Sequence, residues 1–158
     1  MAYTIVVMYD LNQAVGRGCP NRQTDVMLVQ YFFAAMTISS FNFPPVGFSP
    51  AVASGPAPIF PINGQFKDGL VDWIEEFQYK ATRNGFGPLV TDGRVDPSGV
   101  AWGDSNLRHT HRRTIQAMNL VLQRAAPSRF ENLPNDANVP GPLRTELLKI
   151  RLTNSLSR

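Results

Sequence analysis

Few residues in this sequence have the types and spacing that catalysis or metal binding requires. His109 and His111 are two positions apart, which places their rings about 200° apart around an α-helix, so both cannot readily bind one ion there. A zinc site would need further ligands, such as Asp104 or Cys19. Cys19 is the only cysteine, and no neighbouring base activates it, so we expect a buried or inert thiol. We therefore predict that the protein is not an enzyme and holds neither a metal ion nor a cofactor.

Charge is distributed unevenly along the 158 residues, of which only 17% are charged. Residues 1–104 hold six basic and nine acidic residues, a net charge of −3, whereas residues 105–158 hold nine and three, a net charge of +6. The basic residues between Arg108 and Arg129 have no interleaved aromatic residues, which nucleic-acid binding by stacking would need. We therefore expect them to contact an acidic protein neighbour or solvent, and we do not expect a nucleic-acid partner.

A stretch of forty-one residues, from Val26 to Phe66, contains no charge at all. Its apolar part, residues 26–38, is about 13 residues long, too short to span a membrane. Residues 38–62 form a proline-rich segment that is ordered on its own core, docks on another subunit, or is disordered; the sequence leaves these three alternatives open. The candidate partner-binding residues in it are Phe41, Phe43, Phe48 and Phe60.

The first twenty residues are predicted to form a separate N-terminal arm with one short β-strand, Tyr3–Tyr9, because that run is β-branched and aromatic. The same run lacks the basic start and the cleavage site of a signal peptide. We therefore expect synthesis in the cytoplasm without a removable leader.

Helical spacing of apolar residues predicts three helices between residues 21 and 126. The first covers about 22–37, the second begins at Asp68 or Gly69, and the third covers about 106–125. The stripe of the second helix consists of Leu70, Trp73, Ile74, Phe77 and Ala81. Residues 127–158 are predicted to be a basic C-terminal extension, with a short amphipathic helix or tail from Pro142 onward.

Three segments of the sequence share one pattern of turns and glutamines. Residues 25–33 read DVMLVQYFF, residues 63–78 read NGQFKDGLVDWIEEFQ, and residues 92–102 read DGRVDPSGVAW. This pattern resembles the peptidoglycan-binding domain family, small helical domains attached to cell-wall hydrolases. The sequence departs from the family at Lys67 and Asp96, where the family has glycine, and in the long segment between the first two helices.

The resemblance implies a mainly α fold, a small three-helix bundle with long irregular loops, to which the N-terminal strand is added. In it, Gln30 and Gln78 would satisfy backbone groups of the loops, and Phe66 and Val95 would close the ends of the core. Trp102 would pack at the start of the last helix.

The function that the resemblance implies is non-catalytic binding of peptidoglycan, within a larger particle or machine. Arginine and lysine suit the carboxylates of the stem peptides, and aspartate suits amide or hydroxyl donors. The candidate ligand-binding residues are Gln65, Lys67, Asp92, Arg94 and Asp96. The alternative is a structural or assembly protein that reuses the fold for contacts with another subunit or with its own copies. A phage tail or contractile injection particle is the setting we expect, which would place the protein in a virion or secreted particle.

Overall fold

The computed structural model describes residues 9–38, 61–98, 113–125 and 127–147, and this part of the chain is mainly helical, as predicted. Its elements are α1 (Gln23–Ile38), α2 (Asp68–Arg83), α3 (Thr114–Ala125), α4 (Pro127–Glu131) and the 3₁₀ helix Leu133–Asn135. Residues 141–147 are also helical. Within these ranges there is no β-strand, only an isolated antiparallel bridge between Val15 and Val95.

Helix α1 lies at the centre of the core and is buried around its whole circumference. Each residue from Asp25 to Met36 is no more than 5% exposed. The sequence predicts the helix at nearly these bounds but only one inward stripe, and the other faces are buried because further elements pack on them. A helix covered on all sides has no solvent-facing position that needs a charge, which accounts for the first part of the uncharged stretch.

Helix α2 is amphipathic and packs its apolar stripe against α1. Phe33 of α1 lies with its ring centroid 5.6 Å from that of Trp73 and 6.3 Å from that of Phe77. Burying each such side chain contributes about 1.5–3 kcal/mol relative to leaving it exposed. The helix begins at Asp68, as predicted, and keeps Asp72 in solvent.

The described part of the C-terminal region shares this core. Helix α3 buries Ile115, Met118 and Leu122 completely, and it packs against α1 and α4. The buried hydrophobic residues of 127–147 belong to the same cluster: Phe130, Leu133, Val139, Leu143 and Leu147. The hydroxyl of Tyr31 in α1 donates a 2.6 Å hydrogen bond to Oδ2 of Asp136, which ties this region to the central helix. Residues 127–147 are therefore packed into the helical core and do not project from it.

The end of the predicted N-terminal arm also enters the core. Tyr9 is buried, its backbone N–H donates to Oδ1 of Asn119 at 2.7 Å, and its carbonyl accepts from Nδ2 of Asn119 at 2.9 Å. Leu11 and Val15 are buried in the same cluster.

Several predictions fall on residues outside the described ranges. They are the strand before Tyr9, the segment 39–60 with Phe41, Phe43, Phe48 and Phe60, the residues Trp102, Asp104, His109 and His111, and the chain after residue 147. The three-helix bundle and the N-terminal strand stay predictions.

Candidate functional site

The first of two glutamine-supported turns joins the uncharged segment to α2. Gln30 is buried in α1, and its Oε1 accepts hydrogen bonds from the backbone N–H groups of Asn63 (3.0 Å) and Gly64 (2.8 Å). Its Nε2 donates to Oδ1 of Asn63 at 3.0 Å and to the carbonyl of Gln65 at 3.2 Å. One side-chain amide thus satisfies the polar backbone of a turn that no helix or strand pairs with.

The second turn repeats these bonds with different residues. Gln78, fully buried in α2, accepts at Oε1 from the N–H groups of Asp92 and Gly93, both at 3.0 Å. Its Nε2 donates to Oδ1 of Asp92 at 3.0 Å and to the carbonyl of Arg94 at 2.9 Å, and also to the hydroxyl of Thr114 at 3.0 Å. Both glutamines therefore act as predicted.

The glycines of the two turns are also equivalent. Gly64 (φ +72°) and Gly93 (φ +68°) are in the left-handed region, which favours glycine. A Cβ atom on Gly64 would lie 2.5 Å from Cγ of Gln23, and one on Gly93 would lie 2.6 Å from Cγ1 of Val71. Each contacted residue is seven positions before the glutamine that supports its turn. The two units, each a helix with its supported turn, therefore have the same geometry.

The candidate ligand-binding residues are carried by these turns or directly follow them. Gln65 is exposed in the first turn, and Lys67 is exposed at the N-cap of α2 with no side-chain capping bond. Asp92 is exposed as a residue, but its Oδ1 accepts from the N–H of Arg94 and from Gln78, so this carboxylate oxygen shapes the turn.

Arg94 and Asp96 form an ion pair at the surface of the second turn. Nε of Arg94 donates to Oδ1 of Asp96 at 2.7 Å, and the arginine side chain remains 53% exposed. The hydrogen bond and the charge of Asp96 raise the pKa of Arg94, whose guanidinium is charged at physiological pH in any case. An exposed guanidinium of this kind can bind a carboxylate in a bidentate manner.

The structure adds Arg17, which the sequence does not single out. The Val15–Val95 bridge brings the segment of residues 15–17 against the second turn, where a Cβ on Gly16 would lie 3.2 Å from Cα of Arg94. Nε of Arg17 lies 3.7 Å from Oδ1 of Asp68, the first residue of α2. Arg17 therefore connects the second turn with the start of α2 and with Lys67 beside it.

Two side chains hold the segment that carries Arg17. Asp25, buried in the first turn of α1, accepts hydrogen bonds from the N–H groups of Asn12 (2.8 Å) and Gln13 (3.0 Å). Burial raises the pKa of Asp25, although these two N–H donors act in the opposite direction. The side chain of Asn21 accepts from the N–H of Gly16 and donates to the carbonyl of Gly16, both at 2.9 Å. These bonds cannot be predicted from the pattern of α1, because both N–H partners come from outside the helix.

The five predicted ligand residues thus fall into two groups. Asp92, Arg94 and Asp96 are in one turn, and Lys67 is linked to that turn through the Arg17–Asp68 pair. No contact given by the structure joins Gln65, in the first turn, to the second. The candidate site is accordingly the surface formed by residues 92–96, Arg17 and the start of α2.

The described residues hold no group of three or more potential metal ligands. Cys19 is a free, partly buried thiol whose Sγ lies 3.8 Å from the carbonyl of Arg17. Over the same described ranges, no helix is both long and apolar enough to cross a bilayer. No protein-family model, curated protein or solved structure matches the chain.

Proposed function

We propose that this chain is a non-catalytic module that binds peptidoglycan. The observation that carries the proposal is the pair of equivalent turns supported by Gln30 and Gln78, since they are built from the segments that resemble the peptidoglycan-binding domain family. A turn fixed at four hydrogen bonds presents its exposed side chains in one arrangement, which lowers the entropy lost on binding.

The charges of the candidate site suit the stem peptides of the cell wall. The exposed cations are Arg94, Arg17 and Lys67. Asp96 pairs with Arg94 and Asp68 pairs with Arg17, so the surface carries both signs of charge. A surface with both signs of charge complements a peptide that carries both carboxylate and amino groups. Because the Arg94–Asp96 and Arg17–Asp68 pairs lie at the surface, where solvent screens them, opening them for a ligand costs little.

Retention on purified peptidoglycan sacculi tests the proposal. The wild-type chain should pellet with sacculi at moderate salt, and Arg94→Ala should weaken the apparent affinity about fivefold, which corresponds to ~1 kcal/mol. Arg124→Ala is the matched control, because Arg124 is also exposed but lies at the end of α3 over the ring of Phe86. Failure of the wild-type chain to pellet, or equal losses in both variants, would contradict the proposal.

A second candidate function is assembly, in which the fold contacts another subunit or a second copy without binding peptidoglycan. The observation that favours it is the length of the uncharged stretch from Val26 to Phe66, which continues for thirty residues beyond Met36, the last residue of α1 whose burial the structure describes. Light scattering over a range of concentrations tests this candidate. Stable oligomers of a chain that sacculi do not retain would support assembly, and a monomer retained by sacculi would exclude it.

The proposed setting for either function is a larger particle that meets the cell wall from outside, such as a phage tail or a contractile injection particle.

A further inference from the structure

The first turn contains an asparagine followed by glycine, Asn63-Gly64, the dipeptide at which asparagine most readily loses its side-chain amide. In that reaction the backbone nitrogen of the glycine attacks Cγ of the asparagine, and a five-membered succinimide ring closes. The bond from Cγ to Nδ2 breaks, and ammonia leaves with the proton that the backbone nitrogen gives up to solvent. Water then opens the ring at one of its two carbonyl groups, which gives either aspartate or isoaspartate.

The fold exposes one of the two reacting residues and buries the other. Asn63 is exposed, whereas Gly64 is buried and donates its N–H to Oε1 of Gln30 at 2.8 Å. The glycine nitrogen must lose its proton to attack, and a hydrogen bond to a buried acceptor opposes this loss. Oδ1 of Asn63 accepts from the N–H of Gln65 at 2.9 Å and from Nε2 of Gln30 at 3.0 Å, so the side chain is not free to rotate. The reaction therefore requires the turn to open at Gln30.

The second turn shows how an aspartate fits at the equivalent position. Asp92 is exposed and precedes a buried glycine, as Asn63 does. Its Oδ1 accepts from the N–H of Arg94 and from Nε2 of Gln78, both at 3.0 Å, which are the two bonds that Oδ1 of Asn63 makes in the first turn.

The atom that deamidation removes has no role in the first turn. Nδ2 of Asn63 donates no hydrogen bond to any described residue, whereas its Oδ1 and its backbone N–H are both bonded. Exchange of Nδ2 for a carboxylate oxygen therefore removes no bond of the turn. Isoaspartate differs, because its backbone is one carbon longer and no longer presents two successive N–H groups to Gln30 in the same way.

We propose that Asn63 is a deamidation site that the amide of Gln30 keeps closed, and that the aspartate product preserves the turn. Each opening of the turn exposes the glycine nitrogen to solvent, and the product is permanent. The modification places a negative charge within the stretch from Val26 to Phe66, which otherwise has none, four residues before Lys67. It does not depend on what the chain binds.

Peptide mapping by mass spectrometry tests the proposal on the full chain, incubated in mildly alkaline buffer. Gln30→Ala should raise the rate constant for deamidation of Asn63 about tenfold, equivalent to ~1.4 kcal/mol, because it removes the acceptor of a buried N–H. Gln78→Ala is the matched control, since it removes the equivalent amide from the second turn and leaves Gln30 in place. The two turns share no supporting side chain, so in this control the rate constant should stay within about twofold of the wild type.

The wild-type chain provides a second measurement that needs no variant. Its Asn63 should react much faster in denaturing urea than in the folded chain, because unfolding frees the N–H of Gly64. This comparison tests the protection even if Gln30→Ala does not fold, which circular dichroism checks. The accommodation of the product is tested separately by urea denaturation. Asn63→Asp should keep the wild-type midpoint, and Asn63→Ala should lower it, because alanine lacks Oδ1.

Three results would overturn the proposal. Equal acceleration in Gln30→Ala and Gln78→Ala would show that deamidation follows global unfolding and not opening of the first turn. Equal rate constants for the folded wild type and the chain in urea would show that the turn gives no protection. A midpoint of Asn63→Asp as low as that of Asn63→Ala would show that the turn does not accept the aspartate product.

Discussion

Replacing Gln78 with alanine tests whether one buried amide holds the second turn together. In the wild type this side chain accepts from the N–H groups of Asp92 and Gly93 and donates to the carbonyl of Arg94. It also donates to Oδ1 of Asp92 and to the hydroxyl of Thr114. Alanine leaves all of these groups without their partner and opens a small cavity between α2 and the turn.

The magnitude follows from which of these groups water can reach. Gly93 is buried, so its unpaired N–H costs about 1–3 kcal/mol. Asp92 and Arg94 are exposed residues, where water can replace part of the lost bond, so each of their groups costs about 0.5–1.5 kcal/mol. We expect the free energy of unfolding to fall by about 3 kcal/mol in total. This is a large part of the free energy of unfolding of an ordinary domain, which is about 5–15 kcal/mol.

Urea denaturation followed by far-ultraviolet circular dichroism measures the effect. With an m value of about 2 kcal/mol/M, the unfolding midpoint should fall by about 1.5 M. Gln123→Ala, the same substitution at a half-buried position of α3, should cost less than about 1 kcal/mol. If Gln78→Ala lowers stability no more than Gln123→Ala does, the amide does not support the turn and the reasoning is refuted.

Two further substitutions test the packing of the turns and the attachment of the C-terminal region. Gly93→Ala should lower the free energy of unfolding by about 2–4 kcal/mol, because the new Cβ would lie 2.6 Å from Cγ1 of Val71 and the backbone is in the left-handed region. Gly69→Ala is the control, because a Cβ there meets nothing within 4 Å. In the same urea assay it should be neutral or stabilising. Asp136→Asn should cost about 1–2 kcal/mol at pH 7, since it weakens a charge-assisted bond from Tyr31. Burial alone would raise the pKa of Asp136, but the hydrogen bond from Tyr31 and other donors hold that pKa below the ordinary value. The carboxylate therefore contributes stability above about pH 4 that is lost as the pH falls further. The difference in free energy of unfolding between wild type and Asp136→Asn should accordingly shrink in acid. A difference that stays constant across the pH range would contradict this.

Helices α1 and α2 and the two turns could be predicted from the sequence because their determinants are local. The stripe from Leu70 to Ala81 has helical period, and α2 begins at Asp68 as predicted. Asn63-Gly64 and Asp92-Gly93 are dipeptides that favour turns with a positive φ at glycine, and both glycines have it. The support of each turn by a glutamine was implied by the family resemblance and not by local spacing, since Gln30 and Gln78 bond to groups 33 and 14 residues away along the chain.

The composition of the candidate site could be predicted only in part. Lys67 and Arg94 are exposed and Asp96 is half-buried near the turns, but Arg17 joins them from a segment predicted to be a separate arm. That contact depends on the Val15–Val95 bridge and on two N–H groups held by Asp25, which are distant along the chain.

The sequence by itself determined where α1 and α2 begin and where the chain turns, because each depends on interactions within a few residues. Helix α3 begins at Thr114, with Arg113 outside it, whereas the sequence predicts a helix from about residue 106. The tertiary structure alone decided that α1 is buried on every side from Asp25 to Met36 and that residues 127–147 share its core. It also decided which charged residues lie beside the second turn. The physical reason is that burial and charge pairing depend on the packing of distant segments, which hydrophobic period does not specify. The absence of charge from Val26 to Met36 is therefore a property of a central helix, visible in the sequence but explained only by what packs around it.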